Sequence, residues 1–362
     1  MKIMQFERDK SQFMSSLRKN VNDYFKEKGI STKGNWKTAL KSFVMIFIYL
    51  APFILMLTIP MYGWMIFPLA VIMGIGMAGT GMSVMHDGLH GSSSKIGWLN
   101  ELMGSTIYML GSTTFNWKIQ HNVLHHTFTN IQGMDEDIES RTALRLSVHA
   151  PLKKIHRFQY IYAFFLYSLM LLRKLVNDFY QLHRYNRNGF IRQQNSKPTL
   201  EYIILIVSKL IFFFTAIGLP LLFSDFTWWQ ILLGFVIMLC TSGFIMAIVF
   251  QMAHLVEGVE QPLPSSNGNI ENEWAIHQLQ TTSNFARNNP FINWFVGGLN
   301  FQIEHHLFPN ICHIHYRKIS HIVERTAREY GLPYNMKPSF VKALASHTRM
   351  LKVLGRKNLP RP

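Results

Sequence analysis

Two long stretches of the chain contain almost no charged side chains. No Asp, Glu, Lys or Arg occurs in residues 42–85, and Asp225 is the one such residue in 210–253. A helix needs about 20 apolar residues to cross the hydrocarbon core of a bilayer, so each stretch is long enough for two crossings. Pro, Gly, Asp and aromatic residues cluster mid-way, at 59–64 and 222–229, and mark a turn. The sequence therefore predicts one transmembrane hairpin in each stretch.

The composition argues against a soluble protein. Charged residues make up 15% of the 362-residue chain, whereas about a quarter is usual for soluble domains. Long buried helical pairs in a soluble protein are the alternative explanation of the two stretches. That alternative leaves too few polar residues to face water, and we therefore expect an integral membrane protein.

The net charge of +16 indicates how the chain is oriented. Lys and Arg outnumber Asp and Glu by ten to four in residues 1–41, nine to one in 150–197 and eleven to two in 315–362. The hairpin turns contain neither Lys nor Arg. The positive-inside rule therefore predicts that both termini and the middle segment are cytoplasmic. Because these charges flank membrane spans, we attribute them to orientation and anionic lipids, with no nucleic-acid partner.

The expected fold is an all-α integral membrane protein with four transmembrane helices in two hairpins. Two shorter apolar runs, 158–172 and 97–111, are too short for a comfortable span and are predicted to be interfacial helices. The predicted order is a cytoplasmic amphipathic N-terminal segment (1–41), hairpin 1 (42–85), a cytoplasmic and interfacial segment (86–199), hairpin 2 (200–253) and a cytoplasmic helical cap (254–362).

Eight histidines fall at the cytoplasmic ends of these predicted elements. They are His86 and His90 after hairpin 1, His121, His125 and His126 further on, His254 at the end of hairpin 2, and His305 and His306 in the cap. On an α-helix, His86/His90 and His121/His125 would each share one face. Taken alone, a histidine such as His254 is more often a hydrogen-bonded core or interfacial residue than a ligand.

So many neutral imidazoles in one place indicate a metal centre, because each lone pair needs a partner. Eight imidazoles without a thiolate exceed one structural zinc site and predict two metal ions. Imidazole suits iron, copper, zinc or nickel, so the ligand type alone leaves the metal open. A site at the membrane face suits oxidation of an apolar chain by O₂, which favours iron.

Acidic and other polar neighbours are predicted to support these histidines. Asp87, Asp135, Asp137 and Glu304 are placed to accept the second ring N–H of ligands, although for each a surface carboxylate is an equal alternative. We assign a second group to non-ligand roles: His149, His156, His183, His277 and His347. His313, His315 and His321 follow the last cluster and are candidates for supporting positions.

The chain resembles the membrane fatty acid desaturases, the histidine-box di-iron family. The resemblance rests on "HDGLHGS", "HNVLHHTFTN" with the following "DEDI", and "GGLNFQIEHHLFP", and it covers about residues 40–335. It implies two iron ions that activate O₂ to remove two hydrogens from an acyl chain, and one desaturase domain with a helical cap. It also implies a narrow substrate tunnel, for which Asn116 and Trp117 are candidate wall residues.

One departure within the third box is informative. Gln302 stands where many members have a first histidine, a form that resembles the front-end subgroup, as in linoleoyl-CoA-type desaturases. Gln302 is expected to be a weak ligand or to hold a water on the metal. The sequence contains no His-Pro-Gly-Gly haem motif, so electrons are expected from a separate ferredoxin or cytochrome b5-like protein with its reductase.

Several alternatives stay open at this point. A related di-iron hydroxylase or ketolase would use the same boxes. A histidine-based metal carrier is a different class, but transport needs ionisable groups at mid-membrane depth, and the predicted spans offer almost none. The acyl carrier, whether CoA or a membrane lipid, is not specified by the sequence.

Overall fold

The computed structural model describes residues 4–139, 143–265 and 267–356, and these are predominantly helical. The described α-helices are α1 (Phe13–Lys28), α2 (Trp36–Thr58), α3 (Ile66–Gly79), α4 (His86–Leu89), α5 (Gly97–Ser105), α6 (Thr114–Trp117), α7 (His126–Phe128), α8 (Gln159–Ser168), α9 (Met170–Arg187), α10 (Phe190–Gln193), α11 (Pro198–Phe213), α12 (Leu219–Phe223), α13 (Trp228–His254), α14 (Trp274–Thr281), α15 (Pro290–Phe295), α16 (Gln302–Leu307), α17 (Tyr316–Glu329) and α18 (Phe340–Leu354). Short 3₁₀ helices are Gly63–Met65, Thr106–Leu110, Lys154–Phe158 and His313–His315, and π-helices are Thr80–Met85, Lys118–His125 and Phe214–Gly218.

Four helical segments are long and apolar enough to cross a membrane, within the described ranges. They are Trp36–Thr58, Gly63–Leu89, Pro198–Phe223 and Trp228–His254. This confirms the four predicted spans, while their pairing as hairpins stays a prediction. The run 158–172 is not one of them, because α8 ends at Ser168 and α9 begins at Met170.

The chain divides into two compact units. The first, here called the spanning unit, comprises Asn35–Ile119 and Phe164–Ala247. The second, here called the histidine-rich unit, comprises Met1–Gly34, Gln120–Ala163 and Ile248–Pro362.

The spanning unit is held together by close helix packing. Gly76 of α3 lies against the backbone of Tyr49 in α2, where any side chain would collide, so glycine permits the two helices to approach. Helix α2 begins with a capping box formed by Asn35 and Thr38, and the Asn35 side chain also accepts a hydrogen bond from the Lys37 amide at 2.9 Å. An apolar cluster that includes Met77 and Leu239 fills the space between the helices.

One buried ionic group crosses this apolar packing. The Asp178 carboxylate lies 2.9 Å from Lys174 Nζ and 2.8 Å from Lys209 Nζ. Burial alone would raise the pKa of the Asp178 carboxyl, but the two ammonium groups lower this pKa below its ordinary value. The Lys209 ammonium also donates to the Gly111 carbonyl. Removal of either partner would leave a buried charge, so these residues tie α9, α11 and the turn at Gly111 together.

The histidine-rich unit packs α1 against α17 around a core that includes Phe13, Leu17 and Val323. It also contains two short parallel ladders, which the sequence did not predict beside the expected helices. Strand β1 (Gln5–Glu7) pairs with β2 (Asn269–Glu273), with a bulge after Phe6, and β3 (Asn284–Phe285) pairs with β4 (Met336–Lys337). Strands of two to five residues are too short to show a recognisable alternation in the sequence.

A buried arginine fixes one loop of this unit. The Arg145 side chain donates to the carbonyls of Ala150, Leu354 and Val148, each at 2.7 Å. The loop that follows the second histidine box is thereby tied to the end of α18.

Candidate metal centre

Three histidine rings converge inside the histidine-rich unit. One ring nitrogen each of His125, His254 and His306 lies within 4.8 Å of the others, and all three residues are buried. Their elements are far apart in the sequence: His125 ends a π-helix, His254 ends α13, and His306 lies in α16. The His126 and His305 rings complete the group, with centroids 4.5 Å apart.

A carboxylate fixes the orientation of the His125 ring. Its Nδ1 lies 3.1 Å from Asp135 Oδ2 and 3.7 Å from Asp137 Oδ2. Because an ionised carboxylate only accepts, Nδ1 carries the proton and Nε2 presents its lone pair. Although burial alone lowers it, Asp135 and Asp137 raise the pKa of His125. Burial, aided by Asp135, raises the pKa of Asp137 to about 6.

Asn130 links this carboxylate to the end of α13. Its backbone amide donates to Asp135 Oδ2 at 2.9 Å, while its side-chain amide donates to the carbonyls of His254 at 2.9 Å and Thr281 at 3.2 Å. Asn130 adopts a left-handed conformation, with φ of 60°, which asparagine tolerates better than most residues. One residue therefore positions both His254, through its side chain, and the acceptor of His125, through its backbone amide.

Two further histidines are held by the same nitrogen. His306 Nδ1 lies 2.8 Å from Gln278 Oε1, and His305 Nδ1 lies 3.3 Å from the Tyr316 hydroxyl. With Nδ1 engaged by an oxygen, Nε2 is the nitrogen suited to a metal, which is the pattern of histidine ligands with oriented rings. The sequence did not predict the roles of Asn130, Gln278 and Tyr316. Asn130 is the last residue of the motif "HNVLHHTFTN", whereas Gln278 and Tyr316 lie outside the quoted motifs.

The second box pairs its histidines differently from the α-helical expectation. Residues Lys118–His125 form a π-helix, and His126 Nε2 lies 3.2 Å from His121 Nε2. The His121 and His125 rings stack with centroids 5.3 Å apart. A wider helical turn brings residues five apart onto one face, so His121 contacts His126 at i+5 in addition to His125 at i+4.

The first box lies in the spanning unit. The His86 and His90 rings are 4.7 Å apart, and Trp117 contacts both, at 5.7 Å and 5.4 Å between centroids. Asp87 is buried, with its carboxylate 4.0 Å from His86 Nδ1. Asn116 is also buried, and its amide donates to the Asp178 carbonyl at 2.9 Å.

Glu304 and Gln302 have partners that the sequence did not predict. The Glu304 carboxylate accepts from Asn284 Nδ2 at 2.7 Å and from the Tyr334 hydroxyl at 2.9 Å, rather than from a histidine ring. Burial raises its pKa to about 7. Gln302 is buried, donates to the Leu299 carbonyl at 2.9 Å, and has its side chain close to the His254 ring.

Other histidines of this unit bond to the backbone. His277 Nε2 lies 2.9 Å from the Thr129 carbonyl, His347 Nδ1 lies 2.9 Å from the Leu255 carbonyl, and His149 Nε2 lies 2.6 Å from the Gln261 carbonyl. Burial lowers the pKa of His277 and of His347 to about 4 each. All three rings join segments of the fold through these bonds, and the low pKa values keep His277 and His347 neutral near pH 7.

The donor set fits a transition metal. His125 Nε2 is buried and has no hydrogen-bond partner among the residues that the structure describes, although it lies beside two other imidazoles. A buried polar atom without a partner is costly, and a metal ion would satisfy it. Imidazole nitrogens without thiolate or several carboxylates suit iron, copper, nickel or zinc better than magnesium or calcium.

Comparison with known proteins agrees with this chemistry. The sequence model of the family described as "Fatty acid desaturase" matches residues 62–338. The chain is 35% identical over 349 residues to an sn-1 linoleoyl-lipid 6-desaturase of Synechocystis sp., covering 95% of this chain and 96% of that protein. It is 34% identical to an sn-1 linoleoyl-lipid 6-desaturase of Arthrospira platensis (95% and 92% covered), and 33% identical to an acyl-lipid (8-3)-desaturase of Physcomitrium patens (95% and 72% covered).

These matches extend over all three histidine boxes and the four candidate spans, and they confirm the resemblance that the boxes indicated. The chain therefore belongs to the fatty acid desaturase family, in its front-end subgroup, and is a membrane oxidoreductase that introduces double bonds into fatty acyl chains.

Proposed function

We propose that this enzyme inserts a double bond between an existing one and the carboxyl end of an acyl chain carried in a membrane lipid. Linoleoyl chains are the proposed substrate, because both cyanobacterial relatives are named for linoleoyl-lipid and are matched over nearly their whole length. The choice of a lipid over CoA as carrier rests on the same names.

We further propose that two iron ions form the catalytic centre. The proposed ligands are the seven box histidines and His254, with Gln302 as a weak ligand or a residue that holds a water: His86, His90, His121, His125, His126, His254, His305 and His306. Their number exceeds what one ion takes, and the absence of thiolates among them fits iron in an oxygen-dependent enzyme. When bound, the irons would supply the activation of O₂ that removal of hydrogen from saturated carbons requires.

The residues of the chain prepare this centre. Asp135, Gln278 and Tyr316 engage Nδ1 of His125, His306 and His305, and so fix which nitrogen each ring presents. Burial of the cluster excludes bulk water and protects a strongly oxidising site from side reactions. Preorganised rings avoid the cost of ordering the ligands when metal binds.

The distribution of Lys and Arg supports a cytoplasmic location for both termini and for the centre. In that orientation soluble reductants reach the site directly. The electrons are proposed to come from a separate carrier, a ferredoxin or a cytochrome b5-like protein with its reductase.

The observation that carries the proposal is the convergence of His125, His254 and His306 in a chain with front-end relatives. The test is to express the chain in a host that lacks polyunsaturated lipids, supply linoleate, and locate double bonds in the intact glycerolipids by mass spectrometry. A new double bond on the carboxyl side of the existing ones, absent with His305→Ala and present with His347→Ala, is the expected result. An oxygenated product would instead assign a hydroxylase, and a product found first in the acyl-CoA pool would overturn the lipid carrier.

A further inference from the structure

This inference rests on the proposed function, which needs an external supply of electrons. Conversion of a –CH₂–CH₂– group and O₂ to –CH=CH– and two waters consumes four electrons at oxygen. Two electrons come from the two broken C–H bonds, and two electrons with two protons must be supplied from outside. A one-electron carrier therefore has to dock twice in each turnover, and this chain must present a surface to which the carrier binds.

A direct covalent and hydrogen-bonded connection leads from one histidine of the cluster to the surface. His305 Nδ1 lies 3.3 Å from the Tyr316 hydroxyl, and both residues are buried, at 1% and 2% exposure. Tyr316 is the first residue of α17, and the next two residues, Arg317 and Lys318, are exposed. The chain thus passes from Tyr316, a buried residue in contact with a cluster histidine, to open surface within one turn of helix.

The exposed side of α17 is basic. This helix has two acidic residues, Glu324 and Glu329, and twice as many basic ones: Arg317, Lys318, Arg325 and Arg328. Arg325 and Arg328 are paired with these carboxylates, at 3.9 Å and 2.5 Å. Neither the Arg317 nor the Lys318 side chain has an ion-pair partner within the described part of the chain. The uncompensated positive charge is therefore concentrated at the end of α17 that begins with Tyr316.

The neighbouring helix adds charge of the same sign. Helix α1 packs against α17 through hydrogen bonds from Asn20 Nδ2 to Thr326 Oγ1 at 3.0 Å and between the Ser16 and Tyr330 hydroxyls at 2.6 Å. The exposed cations of α1 include Arg18, Lys19 and Lys26.

We propose that the first turn of α17, with Arg317 and Lys318, is the docking surface for an acidic one-electron carrier protein, and that Tyr316 connects this surface to His305. Each docking would oxidise the carrier by one electron and deliver that electron to the metal that the proposed histidine ligands would hold, and two protons from solvent would balance the two electrons of a turnover. Complementary charge accelerates such encounters and makes them sensitive to salt.

A membrane surface is a poorer match for this face than an acidic protein. Helices that bind in the lipid interface expose large apolar side chains beside their cations. The exposed residues of α17 are Arg317, Lys318, His321, Arg325, Arg328 and Glu329, all of them polar.

The docking surface is tested by binding of a plant-type [2Fe–2S] ferredoxin to the purified full-length protein in lipid nanodiscs. Arg317→Glu combined with Lys318→Glu should raise the Kd at least tenfold at low salt and reduce its salt dependence. Lys342→Glu, a charge reversal at an exposed position of α18, is the matched control and should change the Kd less than twofold. Equal weakening by the control, or no weakening by the double variant, would overturn the docking surface. So would a double variant that loses binding to anionic vesicles but keeps ferredoxin binding.

The role of Tyr316 is tested by Tyr316→Phe, which removes the hydroxyl and keeps the ring. The Kd for ferredoxin should be unchanged, while single-turnover oxidation of pre-reduced ferredoxin should slow about tenfold at equal metal content. An unchanged rate would overturn the connection through Tyr316.

The failures of this inference and of the proposed function are distinguishable. Formation of the unsaturated product with unaltered ferredoxin binding in the double variant contradicts the docking surface alone. No product with any reductant, despite bound metal and intact ferredoxin binding, contradicts the proposed function.

Discussion

Two sets of histidines in the histidine-rich unit show how one residue type serves opposite purposes. In the histidine cluster of His125, His254 and His306, Nδ1 of His125 and of His306 bonds to a side-chain oxygen. One ring nitrogen of each lies within 4.8 Å of the other imidazoles. Two other buried histidines, His277 and His347, bond to backbone carbonyls instead and are here called the frame histidines. Both sets are fully buried, so burial does not separate them. What separates them is their neighbours: ring nitrogens of His125 and His306 lie within 4.8 Å of each other, whereas His277 and His347 belong to no such group among the described residues. This gives each set a different expected response to mutation.

The largest difference is expected for loss of a cluster ring. His306→Ala should lower desaturation by at least about a thousandfold, because a proposed metal ligand is removed and Gln278 loses its partner. His347→Ala should leave most activity in the protein that folds. Product formation per folded protein, with folding checked by gel filtration and circular dichroism, measures both. Similar losses in the two variants would erase the distinction.

The frame histidines should instead affect how the stability of the fold changes with pH. The buried His347 ring has a pKa of about 4, whereas the unfolded chain takes up the proton near pH 6.5. Its contribution is therefore fully present above pH 6.5 and is lost as the pH falls towards 4, by about 3 kcal/mol in total.

His347→Gln retains a donor for the Leu255 carbonyl and does not titrate. Thermal unfolding in detergent between pH 7 and 4 should thus decline less steeply for this variant than for the wild type. Parallel curves would show that His347 does not contribute to the pH dependence.

A smaller effect is expected at Asp135, which contacts the cluster histidine His125. Asp135→Asn keeps an oxygen for His125 but removes the negative charge, and partners of this kind typically contribute 10- to 100-fold to metal affinity. Competition with a chelator measures the change. The matched control is Glu257→Gln, which removes a carboxylate paired with Arg349 instead, and it should leave metal affinity unaltered.

The smallest effect is expected at Asn130. In Asn130→Gly, glycine adopts the left-handed backbone without strain, while the side-chain bonds to the His254 and Thr281 carbonyls are lost. The variant therefore measures the contribution of the Asn130 side chain alone. We expect a loss of about 1–2 kcal/mol in stability and a several-fold faster loss of metal. Unchanged metal release would mean that the end of α13 is fixed by other contacts.

The sequence predicted most reliably the features that depend on composition. The four spans follow from long uncharged runs, although α2 begins at Trp36, before the first run, because Asn35 caps a polar first turn that contains Lys37. The histidine boxes were visible from spacing alone. Their pairing was not, because a π-helix over Lys118–His125 shifts which residues share a face.

The partners of the ligands could not be predicted, for a physical reason. Gln278 reaches His306 from α14, and Asn130 reaches the His254 carbonyl across more than a hundred residues of sequence. Neither residue belongs to a periodic pattern, since each is placed by tertiary packing rather than by its own helix or turn. The ladders that position Asn284 beside Glu304 are too short to be recognised for the same reason.

The most direct test of the account is metal content after anaerobic purification, measured by mass spectrometry of the metals beside protein concentration. The account predicts about two irons per wild-type chain, the same in His347→Ala, and a clear loss in His306→Ala at comparable folded yield. Zinc in place of iron, or iron retained in His306→Ala and lost in His347→Ala, would contradict the assignment of the converging histidines as the catalytic metal centre.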